Sequence, residues 1–300
     1  MDDAGGETPP ALFYVIQMLH RIMRVADFSP DEYVSGMAGA STVLKRQHSK
    51  EGTMNYNWNW QIFWAPSPDG VGTYMDTLVS GLVWTLATAL TAWVMALIIG
   101  AIVGTIRTMP NRWAVRLANA YVELFRNIPL LVQMFLWYFV MPELVPTSMG
   151  NWLKAMPNAP FITAVICLGF FTSSRVAVQV SAGIQALPRG QTLAGTALGL
   201  TLPQTYRHVL LPMAFRIVLP PLTSEFLNII KNSSVALTIG LMELTARARS
   251  MSEFTFQVFE AFTAVTIIYI VVNIIVVNLM GLLEKKVAVP GFIVSGSGGK

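Results

Sequence analysis

LVSGLVWTLATALTAWVMALIIGAIVGTI (Leu78–Ile106) lies in the longest stretch of this sequence without a charged side chain. Its 29 residues lie between Asp76 and Arg107, whereas a helix needs only about 20 apolar residues to cross a bilayer. A helix of this length would reach about 43 Å, so it must tilt or protrude from the hydrocarbon. The stretch therefore predicts a membrane-spanning helix.

Gly100 and Gly104 lie four residues apart within this stretch. Small residues at this spacing allow two membrane helices to pack closely. The alternative is that glycine is simply common in membrane helices, and the sequence leaves both explanations open.

The composition extends this prediction to the whole chain. Of 300 residues, 54% are hydrophobic and 12% are charged, against about 25% charged in a typical soluble domain. The net charge of +4 requires no nucleic-acid partner, because the basic residues cluster near the ends of apolar segments, as membrane topology demands. The three histidines are far apart and Cys167 is the only cysteine, so the sequence predicts no metal site and no internal disulfide.

Two further apolar segments contain charges. Asn127–Met141 has only 15 residues, and it spans the membrane only if the helix extends backward through Glu123 and Arg126. These two residues are three apart, so we predict that they form a structural ion pair on one helix face. The third segment, Ala159–Leu187, carries the single charge Arg175.

The fourth and fifth segments complete the set. The fourth begins near Pro212, and Pro220 and Pro221 predict a break within it. The fifth, Ala261–Leu283, has 23 uncharged residues. The sequence thus predicts an all-α integral membrane protein, a bundle of five spanning helices.

The basic residues predict the orientation of this bundle. Lysine and arginine accumulate on the cytoplasmic side of membrane proteins. One predicted side has four of them, Lys154, Lys231, Arg247 and Arg249, and the other has nine: Arg107, Arg112, Arg116, Arg189, Arg207, Arg216, Lys285, Lys286 and Lys300. We therefore expect a cytoplasmic C-terminus and an outward-facing Met54.

Residues 1–53 differ from the remainder. Their apolar stretch, Ala11–Leu19, is too short to cross a bilayer, and the residues before it are acidic where a signal peptide is basic. This extension is either a disordered tail or surface helix, or an upstream misassigned start, with Met54 as the true initiator. We assign residues 54–290 to the membrane domain and residues 291–300 to a short cytoplasmic tail.

A polar stretch between the third and fourth spans, PRGQTLAGTALGLTLPQTYRHVLLP (Pro188–Pro212), is predicted to lie in the cytoplasm. Its glycines and prolines predict two short helices with a break near Gly199 to Pro203. A short helix at this place suits docking into a groove of a soluble partner. A plain connector is the alternative that the residues alone leave open.

This stretch resembles the coupling loop of the permease subunits of ATP-binding-cassette (ABC) importers. That loop carries Glu-Ala-Ala, three residues, Gly, nine residues, Ile, one residue and Leu-Pro. Here Leu193 stands where the family usually has Glu. The resemblance implies that the contact with the ATPase involves Gly190, Gln191, Ala194, Gly195, Gly199, Val209, Leu211 and Pro212.

Three further stretches, Tyr121–Gln133, Pro188–Gln191 and Lys231–Ser234, resemble polar amino-acid permeases. The whole pattern, from about Trp58 to Pro290, is most similar to the glutamate/aspartate branch. The resemblance implies a type I importer permease fold in a bacterial inner membrane. It also implies three kinds of partner: a second permease subunit, identical or homologous, a dimer of ATP-binding subunits, and a periplasmic substrate-binding protein.

The chain itself is predicted not to be an enzyme and to bind no cofactor. It has no GxxxxGK[ST] phosphate loop, so ATP must bind to a partner. A permease for glutamine, arginine or histidine is the alternative substrate class. An ion-coupled secondary transporter is disfavoured because the chain shows no inverted repeat.

Arg175 is the most informative charge within a predicted span. An unpaired arginine near the bilayer centre costs ~2.5–3.5 kcal/mol on insertion scales. Either its planar donor fork binds the carboxylate of an acidic substrate, or it forms a structural pair with Glu225. The candidate substrate path comprises Arg175, Ser174, Thr172, Glu225, Lys231, Asn232 and Ser233.

Overall fold

A computed structural model describes residues 56–68, 70 and 72–287. The predictions for residues 1–53 and 291–300, including the outward-facing Met54, lie outside these ranges. Trp60–Trp64 forms a short 3₁₀ turn. Nine helices follow: α1 Tyr74–Ile106, α2 Arg112–Asn127, α3 Leu130–Leu144, α4 Thr147–Ala155, α5 Ala159–Gln185, α6 Arg189–Ala197, α7 Leu202–Ile239, α8 Leu244–Thr255 and α9 Val258–Val287.

Four of these helices, α1, α5, α7 and α9, are long and apolar enough to cross a membrane. The pair α2 and α3 is bent by 101° and makes a fifth crossing if it counts as one span. All regular elements within the described ranges are helical. The predicted all-α membrane bundle is therefore confirmed, with a second span that is broken.

The second span does not continue as one straight helix through Glu123 and Arg126. Helical geometry is sterically disfavoured for the residue before a proline, and Ile128 before Pro129 is extended, at φ −95° and ψ 128°. Helix α2 therefore ends at Asn127, and α3 begins at Leu130 in a new direction.

The break predicted at Pro220 and Pro221 in the fourth span is wrong. Helix α7 begins ten residues before Pro212, at Leu202, and the tandem Pro220 and Pro221 lie inside it. Each proline removes one backbone hydrogen bond. The buried side chains of Val218 and Leu222 on either side hold the helix against its neighbours, and membrane helices tolerate proline under such packing.

A wide π turn precedes two further prolines in these spans. The N–H of Met141 donates to the Leu136 carbonyl just before Pro142, and the N–H of Leu211 donates to the Tyr206 carbonyl just before Pro212. A proline ring crowds the carbonyl four residues earlier. The wider turn gives that carbonyl room, so the helix passes Pro212 instead of starting there.

Helices α1 and α5 pack with their backbones almost in contact. A Cβ atom built on Gly100 would lie 2.6 Å from the Val176 side chain, and one on Gly104 would lie 2.7 Å from the Ala177 carbonyl oxygen. Within α5, a Cβ on Gly169 would lie 2.7 Å from the sulfur of Met95. The close packing predicted from Gly100 and Gly104 is confirmed.

At the other end of α1, helix α8 is held by a buried carboxylate. Glu243 is fully buried and accepts hydrogen bonds from the N–H groups of Thr245 and Ala246, at 2.9 and 2.8 Å, as the N-cap of α8. The hydroxyls of Thr85 and Tyr269 also donate to it. Burial raises the pKa of the Glu243 carboxyl, and these hydrogen bonds oppose the rise.

We expect Gly104→Val to lower the midpoint of thermal unfolding of the purified protein, because the added methyl groups force α1 away from α5. Overpacking of this kind costs ~1–3 kcal/mol. The matched control is Gly281→Val, since no atom lies within 4 Å of a Cβ built at Gly281. Equal midpoints for the two variants would contradict the close contact between the helices.

Candidate functional site

Arg175 lies on the open side of α5 and is solvent-exposed in this chain. Its guanidinium carbon lies 4.9 Å from the centre of the Phe171 ring, a distance typical of a cation–π contact. No ion pair joins Arg175 to Glu225 among the residues that the structure describes. The structural pair considered above is therefore absent, and the guanidinium keeps its donors available.

The hydroxyls before Arg175 are buried. Ser174 donates to the Phe171 carbonyl at 2.7 Å, so its hydroxyl is bonded within its own helix. Ser173, which we had not selected, donates to the Phe170 carbonyl and meets the Tyr121 hydroxyl at 2.6 Å. Thr172 is 2% exposed. This turn thus fixes α5 against α2 and leaves Arg175 as its exposed polar group.

Glu225 belongs to α7, which packs against α5. A Cβ atom built on Gly183 would lie 2.2 Å from the Val218 side chain, so α5 and α7 cross closely there. Glu225 is 8% exposed, and its Oε2 atom is buried without a hydrogen-bond partner in the described part of the chain.

The remaining predicted residues lie where α7 ends. Lys231 is exposed and Asn232 is partly buried, whereas Ser233 is fully buried and donates to the Ile230 carbonyl at 2.7 Å. From Ser233 the helix tightens to a 3₁₀ form and stops at Gly240, whose φ of 88° is left-handed. Of this group, only Lys231 and Asn232 present accessible side chains.

The exposed faces of the spanning helices are of two kinds. Helices α1 and α9 expose many large aliphatic side chains, among them Val83, Val94, Ile98, Ile270, Ile274 and Leu282. In contrast, no large apolar residue is exposed anywhere in α5 or in residues 218–239 of α7. A helix face that meets lipid is apolar, so α1 and α9 face lipid, whereas the faces of α5 and α7 that carry Arg175, Ser224 and Lys231 face something else.

The residues on this second kind of surface are small or polar. Helix α5 exposes Arg175, Ala182 and Gln185, and α7 exposes Pro220, Ser224, Lys231 and Thr238 along residues 218–239. Gln179, four residues after Arg175, and Asn228, four after Ser224, are partly exposed on the same faces. We had not selected Gln179, Ser224 or Asn228, although helical spacing from Arg175 and Lys231 could have identified them.

A glutamine side chain supports the break in the second span. Gln133 is 3% exposed, and its Nε2 atom donates to the carbonyls of Phe125 and Ile128 at 2.8 and 2.9 Å. Irregular backbone inside a membrane requires such partners, because no water is present to satisfy it. Gln133 thus closes the bend between α2 and α3, a role that we had not predicted.

Stacked aromatic rings hold the broken span against α5. The Phe170 ring lies between Trp137 of α3, at 5.4 Å, and Phe125 of α2, at 5.3 Å between centroids. Tyr121 packs on Phe125 at 4.9 Å. Both halves of the broken span therefore contact one helix, the helix that carries Arg175.

Glu123 and Arg126 do not form the predicted structural pair. Both are exposed, and no ion pair joins them among the described residues. Exposed pairs of this kind gain little, because side-chain entropy and solvent offset their attraction. Both residues influence Arg107. Burial lowers the pKa of the Arg107 guanidinium, repulsion by Arg126 lowers it further, and the negative charge of Glu123 opposes this decrease.

Helix α6 and the start of α7 form the hairpin predicted from the loop motif. Gly199 has φ +74°, and the Leu200 N–H donates to the Gly195 carbonyl at 3.0 Å, which completes a left-handed helix end. Thr201 and Gln204 cap α7 reciprocally. A Cβ on Gly195 would lie 2.9 Å from Thr205, so this glycine allows the two helices to touch.

The hairpin is tied to the turn after α1. The Tyr206 hydroxyl donates to the Thr108 carbonyl at 2.8 Å. Tyr206 and Leu210 also pack on Ile184 at the end of α5. Movement of the hairpin would therefore move α1, α5 and α7 together.

The outer face of α6 is apolar. Leu193 is 68% exposed and Leu198 is 79% exposed, and helical spacing places Ala194 and Ala197 between them. An exposed apolar ridge of this kind marks an interaction surface. We call these four residues the α6 ridge.

Among the described residues, no group of three or more metal-ligating side chains comes together. The arrangement consists of apolar helices with two polar open faces and a capped hairpin with an exposed ridge. Such a chain is an integral membrane protein with surfaces that suit a partner.

Comparison with known proteins identifies the family. Residues 74–289 match the family described as "Binding-protein-dependent transport system inner membrane component". The match covers most of the chain, and the protein belongs to this family of multi-pass permease subunits.

Individual relatives agree with this assignment. The chain is 47% identical over 241 residues to the glutamate/aspartate import permease protein GltJ of Escherichia coli, covering 79% of this chain and 98% of that one. It is 33% identical to a probable glutamine ABC transporter permease protein of Bacillus subtilis, covering 73% and 94%.

A solved structure also matches the fold. A crystal structure of an amino acid ABC transporter with histidines aligns at a TM-score of 0.61 and 30% identity, covering 71% of this chain and 95% of that chain. The predicted fold of an ABC importer permease is confirmed.

We expect Gln133→Leu to lower the midpoint of thermal unfolding, because two partly buried carbonyls lose their donor at a cost of ~1–3 kcal/mol. Gln185→Leu is the matched control, since Gln185 is exposed and makes no hydrogen bond to described residues. Differential scanning fluorimetry in detergent compares the two, and a smaller loss for Gln133→Leu than for the control would refute the proposed support.

Proposed function

We propose that this protein is the membrane subunit of an ATP-driven importer of acidic amino acids, glutamate and aspartate. The observation that carries this proposal is the 47% identity to a glutamate/aspartate import permease over 98% of that relative's length. The exposed Arg175 on a face without large apolar residues supports the same substrate class.

Arg175 would recognise the side-chain carboxylate of the substrate. A guanidinium presents two parallel N–H donors that match the two carboxylate oxygens. Its distance of 4.9 Å from the Phe171 ring orients this group without neutralising it. An acidic substrate would therefore supply the negative charge that the described protein does not place next to Arg175.

Glu225 would act on the ammonium end of the same substrate. Its Oε2 atom has no hydrogen-bond partner among the described residues, and carboxylates are acceptors for ammonium groups. Lys231, Asn232 and Ser233 would lie further along the path, with Thr172 and Ser174 shaping its wall. The opposite charges of Arg175 and Glu225 correspond to the two ends of an acidic amino acid.

The polar faces of α5 and α7 would meet a second permease subunit, identical or homologous, with the path between the two. A dimer of ATP-binding subunits would bind ATP and dock at the α6–α7 hairpin, because this chain has no phosphate-binding loop. A substrate-binding protein would deliver substrate at the opposite end. The excess of basic residues on the hairpin side supports a cytoplasmic hairpin and C-terminus in an inner membrane.

Alternating access would follow from rigid-body movement of the subunits. The bond between Tyr206 and Thr108 and the contact of Gly195 with Thr205 join the hairpin to the spans. Movement of the ATP-binding subunits would reach α5 and α7 through these contacts. The predicted coupling residues Gly190, Gln191, Ala194, Gly199, Val209, Leu211 and Pro212 surround this connection.

We expect Arg175→Ala to reduce uptake of radiolabelled glutamate and aspartate at least about tenfold, because a charge-assisted bidentate contact is worth more than ~1.4 kcal/mol. Uptake is measured in cells that lack the native gene and carry the variant, with glutamine and arginine as competing substrates. Arg175→Lys should retain part of the activity.

Arg112→Ala is the matched control, because Arg112 is exposed at the far end of α2 and has no partner among the described residues. Unchanged acidic uptake in Arg175→Ala at equal membrane abundance would reject the role of Arg175. Loss of glutamine uptake instead of glutamate uptake on deletion of the gene would favour a glutamine-type permease.

We expect Leu198→Lys to weaken co-purification of the ATP-binding subunits about tenfold or more, since burial of a leucine contributes ~1.5–3 kcal/mol. Thr192→Lys places the same charge on α6 away from the ridge and should bind normally. Because Leu193 replaces the usual Glu, binding should change little between low and high salt, and strong salt dependence would contradict an apolar docking ridge.

A further inference from the structure

A groove of about 300 Å³ opens on the surface of the bundle between α3, α4 and the first turns of α5. Its walls are mainly apolar and aromatic, with Trp137, Tyr138 and Phe139 on one side and Ile162 and Ile166 on the other. It does not include Arg175, Glu225 or the polar faces of α5 and α7. The groove is therefore separate from the proposed substrate path.

One ion pair stands at this groove. Lys154 of α4 contacts Glu143 of α3, and the two side chains remain 49% and 67% exposed. The pair places the ammonium group of Lys154 and the carboxylate of Glu143 at the wall of the apolar groove, and both groups remain accessible. These features combine a hydrocarbon-lined space with an accessible ammonium group whose present partner is an exposed carboxylate.

The depth of the groove matches the layers of a bilayer. Helix α5 has 27 residues, about 40 Å, whereas the hydrocarbon core is about 30 Å thick. The first turn of α5, with Ala159, therefore reaches the headgroup layer, and Thr163 and Ile166 lie beside the acyl chains. Lys154 and Glu143 belong to the same end of the bundle as Ala159.

We propose that this groove binds a phospholipid of the adjacent leaflet, with one acyl chain between α3 and α5 and its phosphate at Lys154. A phosphate is the complementary anion for a positioned lysine, and aromatic side chains such as Trp137 and Tyr138 suit the boundary between headgroup and hydrocarbon. A free amino acid is a poor occupant, because it would bury its charges against an apolar wall. The bound lipid would connect the outer half of the broken span to α5.

The chain offers a matched comparison in a second groove, of about 290 Å³, on α9. It is lined by Val258, Phe259, Phe262, Thr263, Thr266 and Ile267 and has no charged residue. Nonspecific lipid contact would give equal lipid occupancy in both grooves, whereas specific binding would give higher occupancy in the groove at Lys154.

The test uses the complete transporter in nanodiscs of phosphatidylethanolamine and phosphatidylglycerol that contain a trace of phosphatidylethanolamine with a photoreactive acyl chain. After irradiation, mass spectrometry measures the labelled peptides. We expect label on residues 137–166 to exceed label on residues 258–267. Lys154→Ala should lower the former about fivefold, and Thr163→Trp, which fills the groove, should also lower it.

Thr266→Trp, in the second groove, should leave the labelling at residues 137–166 unchanged. Equal labelling of the two grooves, or labelling that survives both Lys154→Ala and Thr163→Trp, would overturn the proposal. Protection of the groove by the substrate-binding protein in lipid-free detergent, without any lipid label in nanodiscs, would overturn it in favour of a protein contact. None of these results depends on which amino acid is transported.

Discussion

The near-contact of the α1 and α5 backbones is the constraint on which the remaining packing depends. Because Gly100 and Gly104 have no side chains, Val176 and Ala177 of α5 can lie directly against α1. This places α5 at the centre of the fold, where α2 and α3 stack on Phe170 and α7 crosses at Gly183. Arg175 therefore sits on the most enclosed helix, and its position is set by contacts on the opposite side of that helix.

A second constraint is that backbone polar groups inside a membrane need partners. The chain departs from regular helix at several prolines, and it meets the requirement differently at each. At Pro129 the helix stops and the Gln133 side chain supplies the missing donors. At Pro142 and Pro212 a π turn keeps the hydrogen bonding continuous. The irregular second span is thus a supported feature of the fold, and it forms one wall of the groove at Lys154 as well as the contact with α5.

The sequence predicted those features that depend on composition or on local spacing. Charge-free stretches indicated the spans, Gly100 and Gly104 indicated close packing, and the glycines and prolines after Pro188 indicated the hairpin. It failed where distant residues decide the outcome. Pro220 and Pro221 do not break α7, because the side chains around them pack against neighbouring helices. Glu123 and Arg126 do not pair with each other, and both act on Arg107 instead. The role of Gln133 becomes visible only when the bend at Ile128 brings two carbonyls to its side chain. The sequence signal for this role of Gln133 is a polar residue shortly after Ile-Pro in an apolar run. That signal alone does not predict which carbonyls the side chain contacts.

Charged side chains within the spans cost free energy unless they have partners. A buried charge that has lost its partner is strongly destabilising, so the unpartnered Oε2 atom of Glu225 is not explained by folding. Arg175 is exposed and, among the described residues, unpaired on a helix that exposes no large apolar side chain, and α7 exposes none in residues 218–239. If the pair had served the fold, the two side chains would contact each other, as Lys154 and Glu143 do at the surface. The separation leaves one donor and one acceptor unpaired, as the proposed acidic substrate with its two opposite charges would require.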